Sequence, residues 1–363
     1  MRKSTTLVIT VTLWAVAFAA VRIASGQAAA PKTAEEVYKN IVQLKGTPAD
    51  QLLPAMQVIA ASLNVECSFC HVQGKMESDD KPEKNTARKM IAMTMALNKD
   101  SFNGRQEISC YSCHHGAEHP AGVPPVRESD APEAEAKAIT PNGATPTADE
   151  IIEKYVAAVG GVDAMRKIAS RVATGSILVA GNSSPIEVIT KAPNKRISIT
   201  HSSSGSESFT AFDGTAGWLG STGRPPREMS AAESGASGLD AEFYLGLRLK
   251  EIFPKLRRSR NDMIGGVEYY TLSGTAPGRP AVRLYFDEKT GLLMRMVRYA
   301  ETPVGRNPTQ IDYADYRDAD GVKIPFRWTL ARPNGRFTIQ IAEVKSNVPV
   351  ADDRFAKPAA ETK

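Results

Sequence analysis

Two copies of one five-residue string constrain this chain of 363 residues more than anything else in it. The string is C-x-x-C-H, carried by Cys67, Cys70 and His71 in VECSFCHV and by Cys110, Cys113 and His114 in ISCYSCHHGAEHP. Together the copies use all four cysteines, and they are offset by 43 residues. Residues i and i+3 of a helical turn share one side. Two cysteines so placed can bond the two vinyl groups of one porphyrin edge, while the histidine that follows turns its imidazole toward the iron. This is the attachment signature of c-type haem. Cys67 and Cys70 with His71 are expected to hold one haem, and Cys110 and Cys113 with His114 a second. A zinc site built from two cysteine pairs and a pair of disulfides are the competing readings. Neither needs a histidine directly after each pair.

Ahead of the motifs, Arg2 and Lys3 precede the apolar run LVITVTLWAVAFAAV and the small residues IASGQAAA. A basic start, an apolar middle and a small-residue cleavage region read as a secretory signal peptide over residues 1–28. The alternative is a retained anchor helix, because the run extended past Arg22 approaches membrane-spanning length. The expected location is the periplasm, free or at a membrane surface. A net charge of +5 makes no strong demand, since residues 151–363 carry the excess as 30 Lys and Arg against 23 Asp and Glu. That is a weak argument for an anionic surface, and nucleic acid is not an expected partner of an exported chain.

Texture divides the remainder. Residues 31–120 read as a mainly α dihaem domain. TAEEVYKNIVQLKGTPADQLLPAMQVIAASLN has helical period with a break near residue 47, and TARKMIAMTMALN forms a second helix before the second motif. Residues 121–146, rich in Pro, Ala and acids, read as an extended linker. Residues 147–358 read as an α+β domain with a curved antiparallel sheet of eight to ten strands and two helices. Its opening helix is announced by Thr147 and Glu150, spaced as a capping box, and is closed by Gly160 and Gly161. Asp213-Gly214, Thr290-Gly291 and Asp320-Gly321 mark hairpins between alternating runs. The basic run KLRRSR from Lys255 is read as a solvated loop, with contact to anionic lipid as the alternative.

Each iron needs a sixth ligand or an open face. Met56 lies on the helix before the first motif, and Met90, Met93 and Met95 lie on the helix before the second. His/Met ligation suits electron transfer because it raises the potential and fills the coordination sphere. The competing role for these methionines is core filling, since Ala87, Met90, Ile91, Thr94 and Leu97 form an apolar stripe. Spacing alone does not separate Met90 from Met93. His115 and His119 keep bis-His ligation open for the second haem, and His201 reads as a surface residue.

LNVECSFCH and RKMIAMTMALN…CYSCHHG resemble the cytochrome c subunit of photosynthetic reaction centres over residues 33–120. In that family a helix bearing an axial Met precedes each C-x-x-C-H. The resemblance implies Met56 for the first haem and Met93, ahead of Leu97 and Asn98, for the second, with Met90 as second choice. Many members carry four motifs; this chain carries two and continues into a domain unrelated to photosynthesis. The mode of haem binding therefore transfers better than the photosynthetic partner, and relatives of this kind in non-photosynthetic bacteria would be expected to serve respiratory chains. The C-terminal part, through strand texture such as IDYADYRDADGVKIPFRW, loosely resembles the lipoprotein-carrier (LolA-like) half-barrel. That resemblance implies a site for a lipid or quinone tail, with a docking module as the alternative. The expectation is an exported dihaem cytochrome that carries electrons between a redox protein donor and acceptor, expected to be membrane-bound, and not an enzyme. Its rivals are a dihaem peroxidase and a lipid-binding protein with haem redox sensors.

Overall fold

The computed structural model describes residues 31–120, 146–333 and 335–357. The expected signal peptide and the expected linker up to residue 145 lie outside them.

The first part is helical. α1 (Ala34–Val37) is a single turn behind a Thr33/Glu36 capping box. α2 (Ala49–Leu63) begins after the expected break and ends at Asn64, whose left-handed backbone closes the helix. α3 (Cys67–Cys70), α4 (Pro82–Ser101) and α5 (Tyr111–His114) follow. Among the described residues of 31–120 the only β features are isolated bridges, Thr33 to Pro48 and Val72 to Lys75.

α4 buries Lys84, Ile91, Thr94 and Asn98, whereas Met90 and Leu97 are exposed. This corrects the expected apolar stripe. The buried face is selected by polar anchors: Lys84 Nζ donates to the carbonyls of Met76 and Ser78, and Asn98 binds the backbone at Ile108. Met90, Met93 and Leu97, also at helical spacing, make a neighbouring stripe that faces outward.

α6 (Ala148–Ala158) starts on the expected capping box, with Thr147 Oγ1 accepting from the Glu150 amide at 3.3 Å. As expected, the Gly160-Gly161 pair follows the end of α6 at Ala158. It turns the corner, and α7 (Gly161–Lys167) continues from it. Six strands follow: β1 (Ser170–Val179), β2 (Asn182–Lys191), β3 (Lys195–His201), β4 (Glu207–Phe212), β5 (Gly217–Ser221) and β6 (Arg224–Glu228). Next come α8 (Ala231–Asp240) and α9 (Leu245–Ile252). Seven more strands complete the part: β7 (Arg257–Ile264), β8 (Val267–Gly274), β9 (Ala281–Asp287), β10 (Leu293–Thr302), β11 (Gly305–Ala319), β12 (Val322–Arg332) and β13 (Gly335–Ser346).

All thirteen strands form one sheet, ordered β6-β5-β4-β3-β2-β1-β13-β12-β11-β10-β9-β8-β7, with antiparallel neighbours throughout. The first and last strands pair in its middle, and two meanders run outward to the edges β6 and β7. The chain passes from one edge to the other through α8 and α9. Thirteen strands and four helices exceed the expected eight to ten and two. β6 contains Pro225 and Pro226, which a central strand does not tolerate but an edge does. α8 is rich in Gly and Ser. Most of the basic run from Lys255 is not a loop: from Arg257 onward it is the edge strand β7, where charged side chains discourage pairing with another chain.

The helices lie against one face of the sheet. Ile151 and Ile152 of α6, Leu239 of α8, and Leu249 and Ile252 of α9 pack with Phe253 against Leu272, Leu284, Phe286, Met296 and Ile311. On that face the register aligns Ile177, Ile339, Trp328 and Tyr313 across four neighbouring strands. The other face carries Ile189, Ile197, Ile199 and Ala211, which cluster with the fully buried Phe355 of a short 3-10 helix, Asp352–Phe355.

One hairpin reaches beyond the sheet. At the β10–β11 tip, Val304 is 1% exposed and clusters with Leu44, Ala55, Val58, Ile91 and Cys110 of the helical part. Gln106 donates to the Thr302 carbonyl, and Asn307 Nδ2 donates to Gln57 Oε1 at 2.8 Å. Gly305 (φ 138°) sits where an added Cβ would lie 3.1 Å from Ser109 Cβ, so glycine serves both the backbone angle and the close approach.

Candidate haem-attachment site

Each motif is built as a single helical turn. In the first, the His71 amide donates to Cys67 O at 3.0 Å and closes α3. Cys67 is exposed, and the partly buried Cys70 has its thiol pKa pushed up by burial, with Glu83 adding to the effect. His71 Nδ1 lies 2.8 Å from the carbonyl oxygen of Met76. With Nδ1–H donating there, Nε2 is the nitrogen left for a metal.

The loop that supplies this carbonyl is tied down at several points. Lys84 reaches Met76 O and Ser78 O at 3.0 and 2.7 Å. Asp79 accepts from Arg88 at 2.9 Å and from Asn40 at 2.8 Å. Lys81 Nζ returns to the Ser68 carbonyl inside the motif. The Arg88 hydrogen bond, then that of Asn40, holds the Asp79 carboxyl down at about 2, against an ordinary value of 3.8. A carboxylate with a depressed folded pKa stabilises fully above its unfolded pKa, and the contribution is lost as pH falls through the folded one. The loop after His71 is therefore expected to hold at neutral pH and to loosen between about pH 4 and pH 2. A carboxyl-resolved NMR titration checks this. A midpoint near 4 for Asp79 would mean that the network does not form in solution.

The second motif repeats the arrangement. The His114 amide donates to Cys110 O at 3.0 Å, and His114 Nδ1 lies 3.0 Å from the Ala117 carbonyl, again leaving Nε2. Cys110 is 8% exposed and its thiol pKa is raised by burial; Cys113 is exposed. The approach to this turn is held by Asn98, which sequence reasoning noted only as a landmark. Its Oδ1 accepts from the amides of Glu107 and Ile108 at 3.1 and 2.9 Å, and its Nδ2 donates to Ile108 O at 2.7 Å. Gly116 N donates to Ser62 O at 2.9 Å, anchoring the far side on α2.

The other histidines are engaged elsewhere. His115 has a left-handed backbone, lies with Nε2 2.9 Å from Ser112 O, and stacks on Tyr111 with ring centroids 5.6 Å apart. His119 lies beside Glu118, and His201 pairs across strands with Glu207 at 3.0 Å. Met56 is partly buried and packs on the cluster that contains Cys110 and Val304. Met93 is 52% exposed and Met90 38%, both on the outward stripe of α4.

This donor set fits covalent haem. The paired thiols, each with an imidazole whose second nitrogen is held by a backbone carbonyl, match what an iron-ligating histidine requires. The exposed apolar stripe of Met90, Met93 and Leu97 offers a surface for a flat apolar ring. Among the described residues no three His, Cys, Asp or Glu side chains converge as a bare metal ion would need, and the four cysteines are not bonded to one another.

A second candidate site lies between the sheet and its helices. It is a cavity of about 780 Å³, lined by apolar side chains such as Ile186, Ile339 and Phe337 and by Arg196, Asp240 and Arg298. That volume is in the range of small-ligand sites.

Residues 11–156 match the family model described as photosynthetic reaction centre cytochrome C subunit. A photosynthetic reaction center cytochrome c subunit from Thermochromatium tepidum is 31% identical over 87 residues, covering 23% of this chain and 22% of that one. The chain thus spans about a fifth of that relative's own length. Among solved structures, a LolA superfamily protein from Nitrosomonas europaea aligns with 59% of this chain and 99% of its own, at 15% identity and a TM-score of 0.40. A DUF1329 family protein from Desulfovibrio piger covers 58% and 98%, at 13% identity and a TM-score of 0.41. The N-terminal part resembles the cytochrome subunit.

Proposed function

We propose that this chain is an exported dihaem c-type cytochrome that carries electrons between redox proteins, with a C-terminal half-barrel module that binds a hydrophobic ligand or docks at a membrane surface. The observation that carries the reading is the duplicated turn, in which each C-x-x-C is followed by a histidine whose Nδ1 meets a backbone carbonyl. Cys67, Cys70, Cys110 and Cys113 would attach two haems, and His71 and His114 would be the proximal ligands through Nε2. Haem held in this way supplies a one-electron Fe(II)/Fe(III) couple whose potential follows its axial ligands.

The protein's own part is orientation. The Met76 and Ala117 carbonyls fix the tautomer and plane of each imidazole, and the Asn40–Asp79–Lys84–Arg88 network and Asn98 hold those carbonyls and turns in place. Met56 and Met93, with Met90 behind Met93, would be the sixth ligands. Filled coordination at both irons suits an electron carrier and disfavours a peroxidase, which needs an open position.

The deciding measurement is the absorption spectrum of mature protein, oxidised and reduced, with Met56→Ala and Met93→Ala. The weak near-infrared band of Met-ligated iron is expected in the wild type, and each variant is expected to remove about half of it. A wild type without that band but low-spin assigns the sixth positions to His and removes the Met assignment, whereas a high-spin signal means an open position and sinks the relay reading.

A further inference from the structure

We propose that the cavity under α8 takes a single-chain amphiphile whose head is an anion, with Arg196 as its principal contact. This deepens the reading of the sheet part as a ligand-binding module and rests on it. The cavity walls divide by chemistry. The apolar row runs across the sheet through Ile186, Ile339 and Trp328, while charge gathers where β3, β10 and β12 face α8.

The carboxylates there are already matched. Asp240 pairs with Arg298, which is itself 6% exposed; Glu233 is gripped at 2.8 Å by Arg227; Glu242 pairs with Arg248 and Arg279. Arg196 and Arg332 also line the cavity, and among the described residues neither has an ion-pair partner. Arg196 lies with its guanidinium 5.9 Å from the Trp328 ring centroid, a weak substitute for an anion.

The charge balance therefore favours a guest that is negative at one end. Burial penalises the Arg196 charge and lowers its pKa, with Asp240 only partly offsetting this. A guanidinium drawn out of water without a partner is costly, and a carboxylate or phosphate brought to it recovers much of that cost. Arg332, more exposed on β12, lines the same cavity, while Arg298 stays occupied by Asp240. Away from this cluster the lining includes Ile177, Ile186, Phe337 and Ile339, which suit an alkyl chain, and a further cation, Arg171, which lies over the Phe243 ring.

The test is calorimetric titration of the full haem-loaded protein with decanoate, decyl phosphate and decanol, repeated on Arg196→Gln and Arg196→Lys. Both anions are expected to bind roughly tenfold to a hundredfold more tightly than the alcohol. Arg196→Gln is expected to erase that preference and Arg196→Lys to keep most of it, with the haem spectrum unchanged in both. Equal binding of alcohol and anions overturns the anionic assignment while leaving a hydrophobic cavity intact. An anion preference that survives in Arg196→Gln overturns the role of Arg196. No binding of any probe overturns the ligand-binding reading itself. A difference between decanoate and decyl phosphate identifies which head the site prefers.

Discussion

Serine in place of both Cys110 and Cys113 is expected to leave the protein with one covalent haem instead of the two proposed, and to lower the reduced α-band per protein by about half. The argument starts from chemistry that cannot be relocated, because these two thiols are the only ones near the second turn. The first turn is held by its own contacts. His71 answers to Met76, and the intervening loop is fastened by Asn40, Asp79, Lys84 and Arg88, none of which touches α5. Attachment at Cys67 and Cys70 should therefore proceed without the second motif. A haemochrome assay against protein mass reads the ratio directly. Loss of both haems would mean that the two turns mature as one unit. A wild-type protein that carries zinc and no haem would remove the cytochrome reading altogether.

The motifs stand out in the sequence because the covalent attachment proposed for them would fix both residue type and spacing, so a five-residue string is enough to suggest it. Their supports do not. The partner of His71 and of His114 is a backbone carbonyl, and any residue at positions 76 or 117 would present one. Asn98 was visible as a residue but not as a clamp, since its three partners depend on how the chain doubles back after α4. The outward placement of Met90 and Leu97 also defeats local pattern. An apolar residue at helical spacing reads as buried, yet the buried face of α4 is chosen by Lys84 and Asn98 reaching loops on either side. In the sheet, the capping box at Thr147 and the Asp320-Gly321 turn read correctly because each is a short-range device. The pairing of β1 with β13 and the arginines gathered in the cavity come from residues far apart in sequence, and no window of the chain contains them.

Val304→Asp is expected to separate the helical part from the hairpin that supports it. Val304 is an ordinary residue in sequence, at the tip of β10–β11, and gave no signal of its own. In the fold it is 1% exposed among Leu44, Ala55, Val58, Ile91 and Cys110, so it closes the apolar cluster behind the second C-x-x-C-H turn. A carboxylate there meets no cation in that cluster, and an uncompensated buried charge costs on the order of 3–5 kcal/mol. Val304→Ala removes only buried methyl groups and should cost about 1.5–2 kcal/mol. The damage should be local. The sheet keeps its own core of Leu272, Leu284, Phe286 and Met296, a cluster separate from the one at the hairpin tip. Limited trypsin digestion of the haem-loaded protein is expected to cut the Val304→Asp variant faster at exposed sites of the helical part, such as Lys45 and Lys99, while the sheet part survives. The alanine variant should fall between it and the wild type. If all three digest alike, the hairpin does not bear on the helical part in solution, and the two parts are joined through the chain alone.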